Sequence, residues 1–232
     1  MQPAGLDLLR KGVESARQHP LLLAFYVALN LLFNLLPPID AAATDDAMLL
    51  GLLALVMAGV QAWLSVGLMM FALANVRGQR LPSIFSARAT TVAKLIYAGF
   101  LQGMMVAAGL IFLVVPGFYL LLVWSQTSFL ILDGAPVHRA IFRDSFVVTR
   151  DRKLFILAAL SWVTLPLVAG IAVQILCTFA GVPTALIVSL LLWSWSSASA
   201  VVAIFGAAWL YRYLTDVEAG DAAATSAGTA VA

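Results

Sequence analysis

Residues Ala47–Asn75 read AMLLGLLALVMAGVQAWLSVGLMMFALAN and carry no charged side chain. A helix needs about 20 mainly apolar residues to cross the hydrocarbon core of a bilayer, so this stretch alone predicts a membrane-spanning helix. The rest of the chain agrees, because 63% of its residues are hydrophobic, only 10% are charged and the mean hydropathy is +1.02. A soluble chain of this size could not hide so much apolar surface. The composition predicts an integral membrane protein and excludes a disordered chain, a nucleic-acid binder and a disulfide-stapled secreted module.

Five more apolar runs flank this one, and the six together predict an all-α membrane protein with six transmembrane helices. The third and fourth runs are separated only by Pro116-Gly117, where a tight turn is expected because glycine tolerates a positive φ. The fourth run would be about 22 Å long as an α-helix, which is short for a hydrocarbon core of about 30 Å. The six predicted spans are Leu21–Leu36, Ala47–Asn75, Leu95–Val115, Phe118–Leu132, Leu154–Ala180 and Thr184–Tyr211.

The positions of the basic residues predict how these helices are oriented. All 13 lysines and arginines lie in the N-terminal segment, in two connections or after the sixth run, and the other three connections hold none. Because short cytoplasmic loops accumulate lysine and arginine, both termini are predicted to be cytoplasmic and the six helices to form three hairpins. The residues are Arg10, Lys11, Arg17, Arg77, Arg80, Arg88, Lys94, Arg139, Arg143, Arg150, Arg152, Lys153 and Arg212.

Amphipathic cytoplasmic helices are predicted beside this bundle. Residues 1–19 are expected to form an interfacial helix ahead of the transmembrane domain, 20–214, because apolar residues recur on one helical face. Residues 215–232 lack periodicity and are predicted to be a disordered cytoplasmic tail. The two basic connections also carry apolar faces, which either rest on lipid headgroups or dock a partner. These apolar faces comprise Leu6, Leu9, Val13 and Ala16, then Leu81, Ile84 and Phe85, then Val137, Ile141, Phe142, Ser145 and Val148.

The predicted spans contain no Asp, Glu, Lys, Arg or His. Proton pumps, ion-coupled carriers and voltage sensors usually place ionisable groups at membrane depth, so these classes are disfavoured. The single Cys177 has no companion for a disulfide or a metal site, and His19 and His138 lie on separate segments. No nucleotide-binding glycine motif occurs. The sequence therefore predicts no cofactor and no metal, and it argues against an enzyme.

Uncharged polar residues inside the spans form the candidate site. An unpartnered amide in hydrocarbon costs several kcal/mol, so these groups are expected to meet at the centre of the bundle. They act either as hydrogen bonds between helices, each worth about 0.6 kcal/mol, or as the lining of a neutral cavity for a lipid headgroup or another amphiphile. The candidates are Gln61, Gln102, Ser125, Gln126, Ser128, Gln174, Ser196 and Ser197.

Two further patterns predict contacts between segments. Gly99, Gly103 and Ala107 form a stripe of small residues, which favours close packing against the next helix of the chain rather than against a second subunit. The second basic connection offers a candidate docking surface for a protein partner or for anionic lipid. Its basic residues are Arg139, Arg143, Arg150, Arg152 and Lys153.

Four segments carry patterns of a known family: Val114–Leu120 (VVPGFYL), Phe142–Arg150 (FRDSFVVTR), Arg77–Phe85 (RGQRLPSIF) and Trp209–Leu214 (WLYRYL), the last followed by Glu218-Ala219-Gly220. They resemble the IPGIYL, LRRSWxLTRG, G…PSxxxLF and LYYDLRxRxEG motifs of a broad bacterial membrane family. That family is the six-helix domain also fused to some glycerophosphoryl diester phosphodiesterases. Asp151 stands where the family usually has glycine, and Thr215-Asp216-Val217 interrupts the closing basic motif. The resemblance implies a six-helix bacterial inner-membrane protein whose biochemical role is mostly unassigned. The sequence shows no phosphodiesterase catalytic domain, so that activity is not carried over.

One function is preferred and two alternatives remain. The preferred function is a non-enzymatic inner-membrane protein that supports lipid or envelope processes as a scaffold or partner-binding subunit. Its expected partners are membrane lipids, a protein at the basic connections and further copies of the chain, but no nucleic acid. The first alternative is a transporter or permease subunit for a neutral or amphipathic, lipid-like substrate. The second is a lipid-modifying membrane enzyme with His138 and Asp144 as its acid–base groups.

Overall fold

The computed structural model describes residues 5–35, 47–112, 114–134, 139–150, 152–179 and 186–229. Within these ranges every regular element is a helix, so the prediction of an all-α protein is confirmed. The helices are α1 (Gly5–Gln18), α2 (Pro20–Leu35), α3 (Ala47–Val76), α4 (Ala89–Phe112), α5 (Val114–Val123), α6 (Thr127–Leu132), α7 (Arg139–Thr149), α8 (Lys153–Phe179) and α9 (Leu186–Thr229).

Four of the described helices are long and apolar enough to cross a membrane. They are the segments Gly51–Val76 of α3, Ala89–Gly109 of α4, Lys153–Cys177 of α8 and Val188–Val217 of α9. The first and fourth predicted spans correspond to shorter apolar helices, Pro20–Leu32 and Tyr119–Leu132. The predicted connections at Pro37-Pro38, at the acidic residues 40–46 and at 181–183 lie outside the described residues.

The fourth predicted span differs from the prediction just before its start and at its middle. Pro116-Gly117 does not form the predicted turn, because both residues lie in the first turn of α5. A proline is tolerated there since the first N–H groups of a helix have no intrahelical partner. Residues Trp124–Gln126 then form a turn that separates α5 from α6. Ser125 Oγ donates to the carbonyl of Leu122 at 2.8 Å, which shows how polar side chains compete for backbone groups at this break.

The C-terminal tail also differs from its prediction. Residues from 215 onwards were expected to be disordered, but α9 continues without interruption to Thr229. Alanine is the most frequent residue of this tail, and alanine has the highest helix propensity of all residues. Lack of hydrophobic periodicity therefore did not imply lack of a helix.

Helix α1 packs closely against α8 and α9 instead of only resting on a surface. A Cβ at Gly12 would lie 2.8 Å from the Val202 carbonyl oxygen, and one at Gly5 would lie 2.7 Å from Trp162 Cδ1. The buried residues of α1 are Leu8, Gly12, Ser15 and Ala16. Of the predicted apolar face, Ala16 is buried, whereas Leu6 is 55% and Val13 is 38% exposed. The contact combines Leu8 with small residues, which allow backbones to approach.

The stripe of small residues on α4 has no such contact. A Cβ at Gly99 or at Gly103 would meet no atom within 4 Å. The prediction that this stripe packs against the next helix of the chain is therefore wrong.

The core of the described structure lies at one end of the long helices. We call this part the basic end: it comprises the described residues of 5–26, 64–98, 123–163 and 197–214, and all 13 basic residues lie in these ranges. Every buried side chain among the described residues lies there too. Helix α3 shows the division most clearly, since residues 64–76 are buried or half-buried while almost all described side chains from 51 to 63 are exposed.

Candidate functional site

The predicted polar centre is best developed at the break between α5 and α6. Gln126 is fully buried, and its Nε2 donates to Ser125 Oγ at 3.2 Å. Its Oε1 has no hydrogen-bond partner among the described groups, and neither has the buried Oγ1 of Thr127. Two unsatisfied polar atoms on adjacent buried residues are unusual, because buried polar groups in proteins are almost always hydrogen-bonded.

The other predicted polar residues lie elsewhere along the helices. Gln61 donates through Nε2 to Asn30 Oδ1 at 3.3 Å and links α3 to α2. Ser196 packs beside Gly170 of α8. No hydrogen bond among the described residues joins either place to Gln126. Ser197 is buried, whereas Gln102, Ser128 and Gln174 are half-buried.

Helix α7 closes the break between α5 and α6. The hydroxyl of Ser145 donates to the carbonyl of Val123 at 2.7 Å, and Thr149 Oγ1 lies 3.4 Å from the same oxygen. Both residues and Ile141 are fully buried. The Phe142 ring lies 4.8 Å from that of Trp124. The described part of the apolar face predicted for this segment is therefore used inside the protein, where Ser145 satisfies a carbonyl that the helix break leaves free. Val137, the first residue of that face, lies outside the described residues.

The predicted docking residues on and after α7 are presented unequally. The Arg143 side chain is 79% exposed and its Nε lies 4.0 Å from Asp144, and Arg150 is exposed as well. Arg152 and Lys153 are half-buried, and the ammonium of Lys153 lies 4.8 Å from the centroid of the Tyr119 ring. Arg139 begins α7, but its side chain lies outside the described part of the chain, as does His138.

A partly exposed polar contact that the sequence did not predict joins the ends of α3 and α6 to α9. Arg77 donates to Asp133 through both terminal nitrogens, at 2.5 and 2.7 Å, and Tyr211 Oη donates to the same carboxylate at 2.9 Å. We call these three residues the helix-end clamp, since they follow α3, follow α6 and lie in α9. The hydrogen bonds from Arg77 lower the pKa of Asp133 below its ordinary value, and the same contact raises the pKa of Arg77.

Further contacts extend the clamp towards α1. Arg212, next to the clamp residue of α9, donates to the carbonyl of Val76, the last residue of α3. Trp209 Nε1 donates to Ser15 Oγ at 3.1 Å, and Lys11 Nζ lies 4.8 Å from the Trp209 ring centroid. His19 Nε2 lies 3.2 Å from Asn75 Oδ1. The basic end is therefore held together by polar as well as apolar contacts.

The connection between α3 and α4 folds back along α3. A Cβ on Gly67 would collide with the carbonyl oxygen of Ile84, which places Ile84 about 13 Å before the end of α3, measured along the helix. We call residues 81–86 the folded-back loop. Its turn is closed by Ser86, whose N–H and hydroxyl both donate to the carbonyl of Ser83, and Phe85 contacts Phe25 of α2 with ring centroids 5.8 Å apart. Of the apolar patch predicted here, Ile84 thus lies against α3, whereas Leu81 is 41% and Phe85 is 60% exposed.

The folded-back loop separates two grooves on α3. We name the two grooves by their distance from the end of α3. The shallow groove, nearer that end, has a volume of about 450 Å³. The deep groove, on the other side of the loop, has a volume of about 260 Å³ and is lined by apolar residues only. The shallow groove is lined by Met70, Leu73, Ala74, Arg77, Gln79, Arg80, Pro82, Leu132, Asp133 and Gly134. Among the described residues, no group of His, Cys, Asp and Glu side chains could hold a metal ion.

Comparisons with known proteins add no assignment to this geometry. No protein-family model matches the chain, and no curated protein or solved structure matches it.

Proposed function

We propose that the chain is a non-enzymatic integral membrane protein that supports lipid or envelope processes as a scaffold, and that its basic end binds the partner. In this proposal six helices cross a bacterial inner membrane as three hairpins with both termini in the cytoplasm, as the resemblance to the six-helix family implies. The short spans, α2 and the α5–α6 pair, would cross where the bilayer is locally thinned. The 13-to-0 distribution of basic residues supports this orientation.

One observation carries the proposal: the ionisable groups that point into the basic end satisfy one another, while other charges point outwards. Asp133 accepts hydrogen bonds from Arg77 and Tyr211, so this carboxylate is occupied in a structural contact. The Arg143 side chain, in contrast, is 79% exposed on α7. A rigid, packed surface with outward basic charges suits recognition of an acidic partner better than chemistry.

Site-specific photo-cross-linking in cells that naturally produce the chain tests this function. A photoreactive amino acid replaces Phe146, which is 37% exposed on α7, or Leu176, which is 66% exposed in the apolar part of α8. We expect a discrete protein adduct from position 146 that Arg143→Glu removes, and only lipid adducts from position 176. The same adducts from both positions, or none that depends on Arg143, would contradict a partner-binding basic end.

A second candidate, a carrier for a neutral or lipid-like substrate, is favoured by the break between α5 and α6. Interrupted helices with free polar groups form the substrate sites of many transporters, and the unpartnered Oε1 of Gln126 lies at this break. Purified protein in liposomes would then move a fluorescent lipid between leaflets faster than empty liposomes do. Gln126→Leu should abolish that movement if the chain is a carrier, and no movement in either sample supports the scaffold.

A further inference from the structure

We propose that the shallow groove between α3, the connection 77–82 and the end of α6 binds the phosphate headgroup of an anionic phospholipid. The proposal goes beyond the scaffold function, because it assigns a lipid class to a defined site. It rests on three observations: the charge of the groove's rim, the apolar residues of its floor, and the position of the folded-back loop along α3.

The rim of the shallow groove carries a net positive charge. Arg77 and Arg80 both line it, and Asp133 is its one acidic lining residue. Asp133 engages Nη1 and Nη2 of Arg77, but a guanidinium has five N–H donors, so others remain for a second anion. Arg80 is exposed and has no acidic partner among the described residues. Gln79 adds an amide beside it. A phosphate monoanion or diester would therefore meet a basic, hydrogen-bonding rim.

The floor of the same groove is apolar. Met70, Leu73 and Ala74 line it from α3, and Leu132 lines it from α6. A free phosphate ion would gain nothing from this floor, whereas the glycerol backbone and first methylene groups of a lipid would bury apolar surface against it. An amphiphile with an anionic head matches both parts of the groove.

The folded-back loop fixes the level of the groove relative to the membrane. Pro82 lines the shallow groove and Phe85 lines the deep one, so the loop lies between a polar and a wholly apolar surface of α3. That change from polar to apolar lining over a few residues is the change that a lipid shows between its headgroup and its acyl chains. The shallow groove therefore lies where headgroups of the adjoining leaflet are found.

Native mass spectrometry of the purified full chain tests the site. The protein is reconstituted in equal parts of phosphatidylglycerol and phosphatidylcholine, extracted in mild detergent, and its retained lipids are counted. One basic residue near an anionic lipid surface changes affinity about fivefold. We expect Arg80→Gln to lower retained phosphatidylglycerol by about that factor, Arg80→Lys to preserve most of it, and phosphatidylcholine to be unchanged. Arg88→Gln, which changes an exposed arginine of the same connection that does not line the groove, is the matched control.

Three results would overturn the proposal. The first is an equal loss of phosphatidylglycerol in Arg80→Gln and Arg88→Gln, which would show nonspecific attraction to a basic surface. The second is no loss in Arg80→Gln. The third is displacement of the bound lipid by inorganic phosphate, which would show a site for a soluble anion. None of these depends on the photo-cross-linking result, so the lipid site and the scaffold function can fail separately.

Discussion

The two halves of helix α3 have almost the same composition and opposite surroundings. Residues 51–63 are apolar and mostly exposed, with Leu55 70% and Leu52 57% exposed, whereas Leu68 is 1% and Ala72 0% exposed in the second half. Helix α9 shows the same division, since Leu191 is 65% exposed and Phe205 is completely buried. Hydrophobic sequence alone therefore does not tell which half forms the protein core.

This difference shows which part of the molecule holds the specific contacts between helices. In the apolar half, lipid would cover the side chains, so association of helices gains little from the hydrophobic effect. In the basic end the helices are joined by glycine contacts, by the helix-end clamp and by α1 and α7. We therefore expect substitutions in the basic end to lower the stability of the fold strongly, and equivalent substitutions in the apolar half to change it little.

The largest contrast is expected within α3 itself. Gly67→Ala places a methyl group against the backbone of Ile84, which cannot move aside as a flexible side chain would, and should destabilise the fold by about 3 kcal/mol. Gly59→Ala lies two turns away in open space and should be neutral or stabilising by up to about 1 kcal/mol through helix propensity. Thermal unfolding in detergent measures both. Equal stability of the two variants would mean that the loop does not lie on α3.

A second contrast compares the small residues of α1 with those of α4. Gly12→Ala brings a methyl group to 2.8 Å from the Val202 carbonyl oxygen and should cost about 2 kcal/mol or release α1 from α9. Gly103→Ala meets nothing and should leave stability unchanged. Limited proteolysis near α1, followed with time, reports its release. If Gly103→Ala is the more damaging change, α4 packs against a surface outside this chain.

The helix-end clamp predicts a dependence on pH. Because the folded-state pKa of Asp133 is lowered, its contribution to stability is complete above its unfolded pKa of about 4 and is lost as the pH falls through the lowered folded value. Asp133→Asn should cost about 1 kcal/mol at neutral pH, since both partners are partly exposed to solvent. The variant should also lose less stability on acidification than the parent protein. If the variant and the parent protein lose stability equally as the pH falls, the clamp is not the cause of the pH dependence.

The smallest effect is expected at Gln126. Because its Oε1 is buried without a partner among the described groups, Gln126→Leu removes an unsatisfied acceptor together with one weak donor contact, and stability should change by less than about 1 kcal/mol. Ser145→Ala is the comparison, since it deprives the Val123 carbonyl of a 2.7 Å bond and should cost about 1 kcal/mol. A loss above 2 kcal/mol for Gln126→Leu would show that this oxygen has a partner, such as a buried water.

The long helices could be predicted from the sequence, but their contacts could not. The run Ala47–Asn75 is continuous and apolar, and α3 follows it within one residue. The binding face of α1 was missed because the contact uses Gly12 and Ser15, which have little hydrophobicity and allow close approach instead. The clamp was missed because Arg77 and Asp133 are 56 positions apart. Their shared signal was weak: both residues directly follow an apolar run at the same predicted side of the membrane.

The polar residues of the fourth run predicted that it is enclosed, but they did not predict that its helix is interrupted. The polar residues Ser125–Ser128 indicated that this segment is enclosed, and Gln126 is indeed fully buried. The interruption of the helix also depends on Ser145 of α7, whose hydroxyl donates a hydrogen bond to the carbonyl of Val123. Such a long-range partner has no signature in the local sequence, so a continuous helix was the simpler prediction.

The position of α1 has a consequence for the order of events during synthesis. Ser15 bonds to Trp209, 194 positions later, so α1 leaves the ribosome before α8 and α9 and must wait for them before the groove that it occupies exists. During translation its exposed residues Leu6 and Val13 can hold it on the membrane surface, as amphipathic helices do. Two adjacent faces of α1 are thus used one after the other. The exposed apolar face holds the nascent chain at the bilayer, and the buried face later packs against α8 and α9.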